Sequence, residues 1–129
     1  MPRELIECSL FQPIGPYSHA VKSGNLIFVS GTPGVDPKSG QLAGATAYIQ
    51  AAQAIRNVID CVMAAGGTEA DVTTVQVNLV HVEDFAEMNR AYTEYFSEPF
   101  PARTVVGIAA LPKPGARLTI NAMAVLPSK

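Results

Sequence analysis

Two side chains stand out for the chemistry they could do with a small anion. Arg103 sits at the start of an apolar stretch, "FPARTVVGI" (100–108), and Asn121 lies within "RLTINAMAV" (117–125). A guanidinium beside a neutral amide offers several donors and one acceptor, a set suited to gripping a planar carboxylate through parallel hydrogen bonds. A buried guanidinium is costly unless it is paired or reaches water. Two readings of Arg103 therefore stand: an edge arginine in a surface ion pair, or a clamp for an anion. A hairpin of 102–108 and 117–126 turning near Pro112-Lys113 would set Arg103 opposite Asn121 or its neighbour on one sheet face. A slip of one residue would separate them.

Other chemistries lack their residues. There is no P-loop, no G-x-S-x-G and no Ser-x-x-Lys; "GTPG" (31–34) lacks the lysine and the helix start that phosphate binding needs. The acids fall on predicted turns, caps and helix surfaces, which argues against a hydrolase built on paired carboxylates. Cys8, Cys61, His19 and His81 are the four soft ligands, spread along the chain in no zinc-binding pattern. Nine cations against eleven acids, with no basic run, give no footing for nucleic acid. No apolar run approaches the ~20 residues of a membrane span, and "MPRELIEC" is charged where a signal peptide is apolar. The expectation is a cytoplasmic protein with reduced thiols.

The elements that must position these residues follow from periodicity. At 129 residues, 48% hydrophobic and 16% charged, the chain reads as one domain, 1–129, with a single core and enough uncharged surface to hint at an oligomer. Residues 3–8 alternate weakly as a short strand, and 11–18 is an irregular loop. Residues 19–31 form a hairpin turning at Ser23-Gly24-Asn25, whose second arm, apolar on both faces, belongs in the middle of a sheet. After a loop over 32–45, apolar residues from Tyr48 to Val62 recur at helical spacing, closed by Gly66-Gly67. Residues 71–82 alternate, with Val75, Val77 and Leu79 facing the helices. A second helix starts at Asp84 with a capping box to Glu87 and buries Phe85, Met88, Tyr92 and Tyr95/Phe96. The final hairpin completes an α+β domain: one mixed sheet with two helices on one face.

Several blocks together resemble one family. "IGPYSHAV" (14–21), "LIFVSGTPG" (26–34), "NVIDCVMAAGG" (57–67), "DFAEMNRAYTEYF" (84–96), "FPART" (100–104) and "RLTINAMAV" (117–125) look like the Rid (YjgF) family, also called endoribonuclease L-PSP. The resemblance implies a chorismate mutase-like fold and a homotrimer whose sheets form a central barrel, with ligand clefts between neighbouring chains. It implies hydrolytic deamination of 2-imino and enamino acids to 2-oxo acids and ammonia, with no cofactor and no metal. By position, Arg103 matches the carboxylate-binding arginine, Tyr17 a pocket tyrosine, Ser30 and Gly31 pocket walls, and Asn89 a polar pocket residue. For Tyr17 a loop aromatic plugging the core, and for Asn89 a solvated helix surface, are the structural alternatives. Pro112 is expected only to shape its loop.

The chain departs from that pattern twice. Thr104-Val105 replaces "RS-C", so Val105 lines the pocket without a thiol. Asn121 stands where the pattern ends in a glutamate that handles the attacking water. An amide can orient water but cannot take its proton near neutral pH, and general acid–base help is typically worth about 10²–10⁴-fold. Two alternatives follow: a trimer that binds small 2-oxo carboxylates without turning anything over, or a deaminase for another enamine such as 2-aminomuconate. The scattered cations argue against a ribonuclease.

Overall fold

The computed structural model describes residues 2–127; Met1, Ser128 and Lys129, which the single-domain reading includes, lie outside them. The chain runs β1 (Glu4–Leu5), β2 (Ala20–Ser23), β3 (Leu26–Pro33), α1 (Ala47–Ala64), β4 (Val72–Leu79), α2 (Phe85–Tyr95), β5 (Ala102–Gly107) and β6 (Leu118–Val125). One six-stranded mixed sheet has the order β1-β2-β3-β6-β4-β5. Inward residues of the sheet (Ile27, Val75, Val77, Leu79, Leu118, Ile120) meet Ile55, Val58 and Val62 of α1 and Met88, Ala91 and Tyr92 of α2 in one buried cluster. No helix among the described residues is long and apolar enough to cross a membrane.

Local chemistry explains most boundaries. Thr46 caps α1 by accepting the Ile49 amide at 3.2 Å. The helix closes as expected at Gly66, whose φ of +96° costs a glycine little. β3 lies between β2 and β6, as its two-sided apolarity requires. It runs two residues past the expected hairpin arm into the expected loop, through a bulge that shifts register between Val29 and Thr32.

The last hairpin does not form. β5 pairs in parallel with β4, and β4 pairs antiparallel with β6, so β4 separates the two expected partners. The segment 108–117 crosses the end of β4: Ile108 donates to the Leu79 carbonyl and Val80 to the Arg117 carbonyl, one on each side. A segment that long, with two prolines, spans a strand's width where a tight turn would not. Arg103 therefore registers with Val75, and Asn121 with Gln76. Neighbouring residues of β4 point to opposite faces, so Arg103 and Asn121 lie on opposite sides of the sheet.

The capping box at Asp84 is also absent. Asp84 is buried and accepts from Arg117 Nε at 2.9 Å and Nη2 at 3.0 Å, while Glu87 accepts the Tyr48 amide. A bidentate, charge-assisted pair outcompetes a neutral cap for the same carboxylate. That hydrogen bond raises the pKa of the guanidinium further. Phe85, expected in the buried stripe of α2, is 42% exposed.

Candidate functional site

Two clefts of the described surface hold most of the expected site residues. The first, about 420 Å³, opens between α2 and edge strand β5 and is lined by Asn89, Tyr92, Thr93, Phe100, Pro101 and Arg103. The parallel β4–α2–β5 crossover creates it by setting α2 beside the start of β5, where Arg103 leaves the sheet on the helix side. Its Nη1 donates to Asn89 Oδ1 at 2.8 Å and approaches Met88 Sδ at 3.9 Å. Its Cζ lies 4.7 Å from the Tyr92 ring centroid and 5.7 Å from that of Phe85. Among the described residues no carboxylate pairs with Arg103. The surface ion pair that one reading required is not there.

The second cleft, about 570 Å³, includes Tyr17, Ser30, Gly31, Pro112, Lys113 and Thr119 in its walls, with apolar side chains such as Phe11, Ile14 and Leu111 around them. The bulge of β3 presents Ser30 and Gly31 here. Ser30 Oγ donates to the Ser18 carbonyl at 2.6 Å, tying the 11–18 loop to the sheet. A Cβ at Gly31 would make ordinary van der Waals contact with Thr119 Oγ1 at 3.8 Å. Behind Tyr17 lies buried His19, whose ring meets Phe11 and Tyr17 edge-on at 4.7 and 5.7 Å. Its Nε2 bonds the Phe11 carbonyl. A carbonyl only accepts, so Nε2 carries the proton.

Asn121 and Val105 line neither cleft. Asn121 is half-buried on the open sheet face, two residues from Thr119, and accepts from Asn78 Nδ2 at 3.4 Å. The same amide donates to Thr119 Oγ1 at 3.2 Å, and Asn78 Oδ1 accepts from Gln76. Val105 is half-buried against the core, in register with Val77. No Asp, Glu or His lines either cleft, so their walls can bind and orient but hold no carboxylate or imidazole base.

Tyr92, Phe100, Lys113 and Thr119 went unnoticed as cleft residues in the sequence, and Pro112, expected only to shape its loop, is a wall. Tyr92 belongs to an apolar helical stripe and carries no sequence signal beyond it; its packing under Arg103 arises from the crossover.

Comparison with known proteins places these features in a family. The family model described as Endoribonuclease L-PSP matches residues 8–126. A human protein named 2-iminobutanoate/2-iminopropanoate deaminase is 42% identical over 87% of this chain and 81% of its own length. One of the same name from Dermatophagoides farinae is 37% identical over 97% of this chain and 98% of its own. The crystal structure of RidA from the Antarctic bacterium Psychrobacter sp. PAMC 21119 superposes with a TM-score of 0.90 at 36% identity, covering 95% of this chain and 99% of that one. E. coli TdcF with bound serine superposes equally well, TM-score 0.90 at 34% identity, over 96% and 99% of the two chains. With the family model matching residues 8–126 and relatives more than 30% identical over most of its length, the chain belongs to the Rid (YjgF), or endoribonuclease L-PSP, family.

Proposed function

We propose that this chain hydrolyses 2-imino acids and their enamine tautomers to 2-oxo acids and ammonia, in the cytoplasm, as a homotrimer. The observation that carries the reading is Arg103: a guanidinium without a carboxylate partner among the described residues, stacked on Tyr92 and steadied by Asn89 at a cleft mouth. Two relatives named 2-iminobutanoate/2-iminopropanoate deaminase, 42% and 37% identical, support the reaction class.

In that reaction water adds to C2 of R–C(=NH)–COO⁻ and its proton passes to nitrogen. The resulting carbinolamine expels ammonia and leaves R–CO–COO⁻. An imine carbon is already electrophilic, so fixing the carboxylate and the line of attack supplies much of what is needed. Arg103 takes the carboxylate; Tyr17, Ser30 and Gly31 wall the reacting end, with Val105 behind the clamp. Asn121 lines neither cleft of the single chain; lying two residues from the cleft wall Thr119, it orients water or substrate only in the assembled site. The two clefts of one chain have no lining residue in common; in the proposed homotrimer the Arg103 cleft of one copy meets the Tyr17 cleft of the next and completes the site. The open sheet face supports such an assembly: Leu26, Phe28, Val106, Met123 and Val125 are each 37–38% exposed in the single chain. Copies packed on that face would cover them in a central barrel.

One observation favours a second reading, binding of 2-oxo acids without turnover: the absence of Asp, Glu and His from both cleft walls. An assay separates the two. Imino acids are generated in situ by an amino-acid oxidase and trapped with semicarbazide. The deaminase reading requires the protein to lower semicarbazone yield in proportion to its concentration. Unchanged yield for every imino acid, with 2-oxo acids still bound, leaves only the binding reading.

A further inference from the structure

We infer that the Tyr92 hydroxyl is a ligand-binding group of the Arg103 cleft, donating to an oxygen of the carboxylate that the guanidinium holds. This rests on the clamp reading above and adds a residue to it. Tyr92 is 4% exposed, and its hydroxyl is the one buried side-chain polar atom among the described residues that has no hydrogen-bond partner. Its ring forms part of the cleft wall, under the Arg103 guanidinium at 4.7 Å and against Phe96 at 4.7 Å and Phe100 at 6.5 Å.

An orphaned buried hydroxyl carries a desolvation cost that phenylalanine avoids in the same space. The hydroxyls of two neighbouring tyrosines are partnered: Tyr48 donates to Glu94, and Tyr95 accepts from Arg56 at 3.4 Å. Tyr92, on the helix that carries Asn89, packs its ring under Arg103 and has no such partner. Elsewhere in this cleft Asn89 Oδ1 accepts from Arg103 and Thr93 Oγ1 donates to the Arg90 carbonyl.

Burial raises the phenol's pKa, with Arg103 opposing in part, so the hydroxyl keeps its proton at neutral pH and can donate to an acceptor. A carboxylate drawn by the adjacent guanidinium is such an acceptor. It would leave Arg103 free to use its Nε and Nη2 donors while Nη1 stays on Asn89. The ligand class is thus a small monocarboxylate with an oxygen turned toward α2, and the hydroxyl adds a neutral donor to the charged one.

The test uses the full chain in its native assembly, with 2-oxobutanoate, the hydrolysis product of 2-iminobutanoate, as the probe. Its affinity is measured by calorimetry, alongside melting temperatures, for the wild type, Tyr92→Phe and Arg103→Ala. The inference predicts that Tyr92→Phe melts at or above the wild-type temperature and binds about tenfold more weakly, the range of a hydrogen bond to a charged group. Unchanged affinity in Tyr92→Phe, with binding lost in Arg103→Ala, overturns the role of Tyr92 and leaves the clamp standing. Unchanged affinity in Arg103→Ala, or no binding by the wild type, overturns the clamp and this inference with it. A fall of several degrees in Tyr92→Phe also overturns the inference, since the hydroxyl would then have a partner in the folded assembly.

Discussion

Removing one half of the Arg117–Asp84 pair should cost unequal amounts depending on which half goes. Both carboxylate oxygens of Asp84 accept from Arg117, at 2.9 and 3.0 Å, but the side chains differ in their access to water: 6% exposed for Asp84 and 35% for Arg117. In Asp84→Leu the guanidinium can still turn to solvent, so the loss is that of a partly screened charged hydrogen bond, about 1–2 kcal/mol. In Arg117→Met a carboxylate is left buried without counter-charge, at about 3–5 kcal/mol. The double variant removes the orphan as well as the pair and should return to within about 1 kcal/mol of the wild type. Urea unfolding at fixed protomer concentration measures all three, since assembly would otherwise move the midpoints. Equal single losses, or a double variant with the summed loss, would refute the reasoning. The pair lies at the start of α2, so Arg117→Met should also weaken ligand binding at Asn89 and Tyr92, several residues away.

Gly34→Ala should lose about 3 kcal/mol or more in the same unfolding experiment, because a Cβ there would sit 2.2 Å from the Gln50 carbonyl oxygen and 2.6 Å from its Cα, backbone that cannot swing aside. His19→Leu keeps the bulk between Phe11 and Tyr17 but loses the bond to the Phe11 carbonyl; a raised KM for imine with little change in kcat is expected, and His19→Gln, which keeps a donor, should restore most of it. Asn121→Glu places a carboxylate beside the Asn78 amide, and if position 121 handles the attacking water, imine turnover should rise at least about tenfold.

Much of this fold is readable in the residues because local and tertiary preferences agree. The alternation from Val75 to Leu79 and the helical stripe of α1 each name a buried face, and Gly66 marks where α1 must stop. The pairing of β5 is not readable, because an apolar strand's sequence does not say which neighbour it joins. Val105 and Val106 suit a hairpin with β6 as well as a parallel edge on β4. What decides is the crossover through α2 and the length of 108–117, and that one difference moves Arg103 from beside Asn121 to the opposite sheet face. Asp84 failed for a related reason: its capping partner Glu87 is three positions away, whereas Arg117 reaches it only once β6 is in place. Tyr92 was legible as buried but not as unpartnered, since the absence of a bond is a property of the packed molecule.

Arg103→Ala tests the central claim most directly. In the semicarbazide assay with 2-iminobutanoate, the wild type should accelerate loss of imine, and Arg103→Ala should lower kcat/KM by about 100-fold, the upper end for removing a charged hydrogen-bond donor. Its melting temperature should shift by no more than about 2 °C, because the guanidinium is exposed and has no carboxylate to abandon among the described residues. Wild-type kcat/KM in Arg103→Ala, or lost activity accompanied by a large fall in melting temperature, would contradict the account.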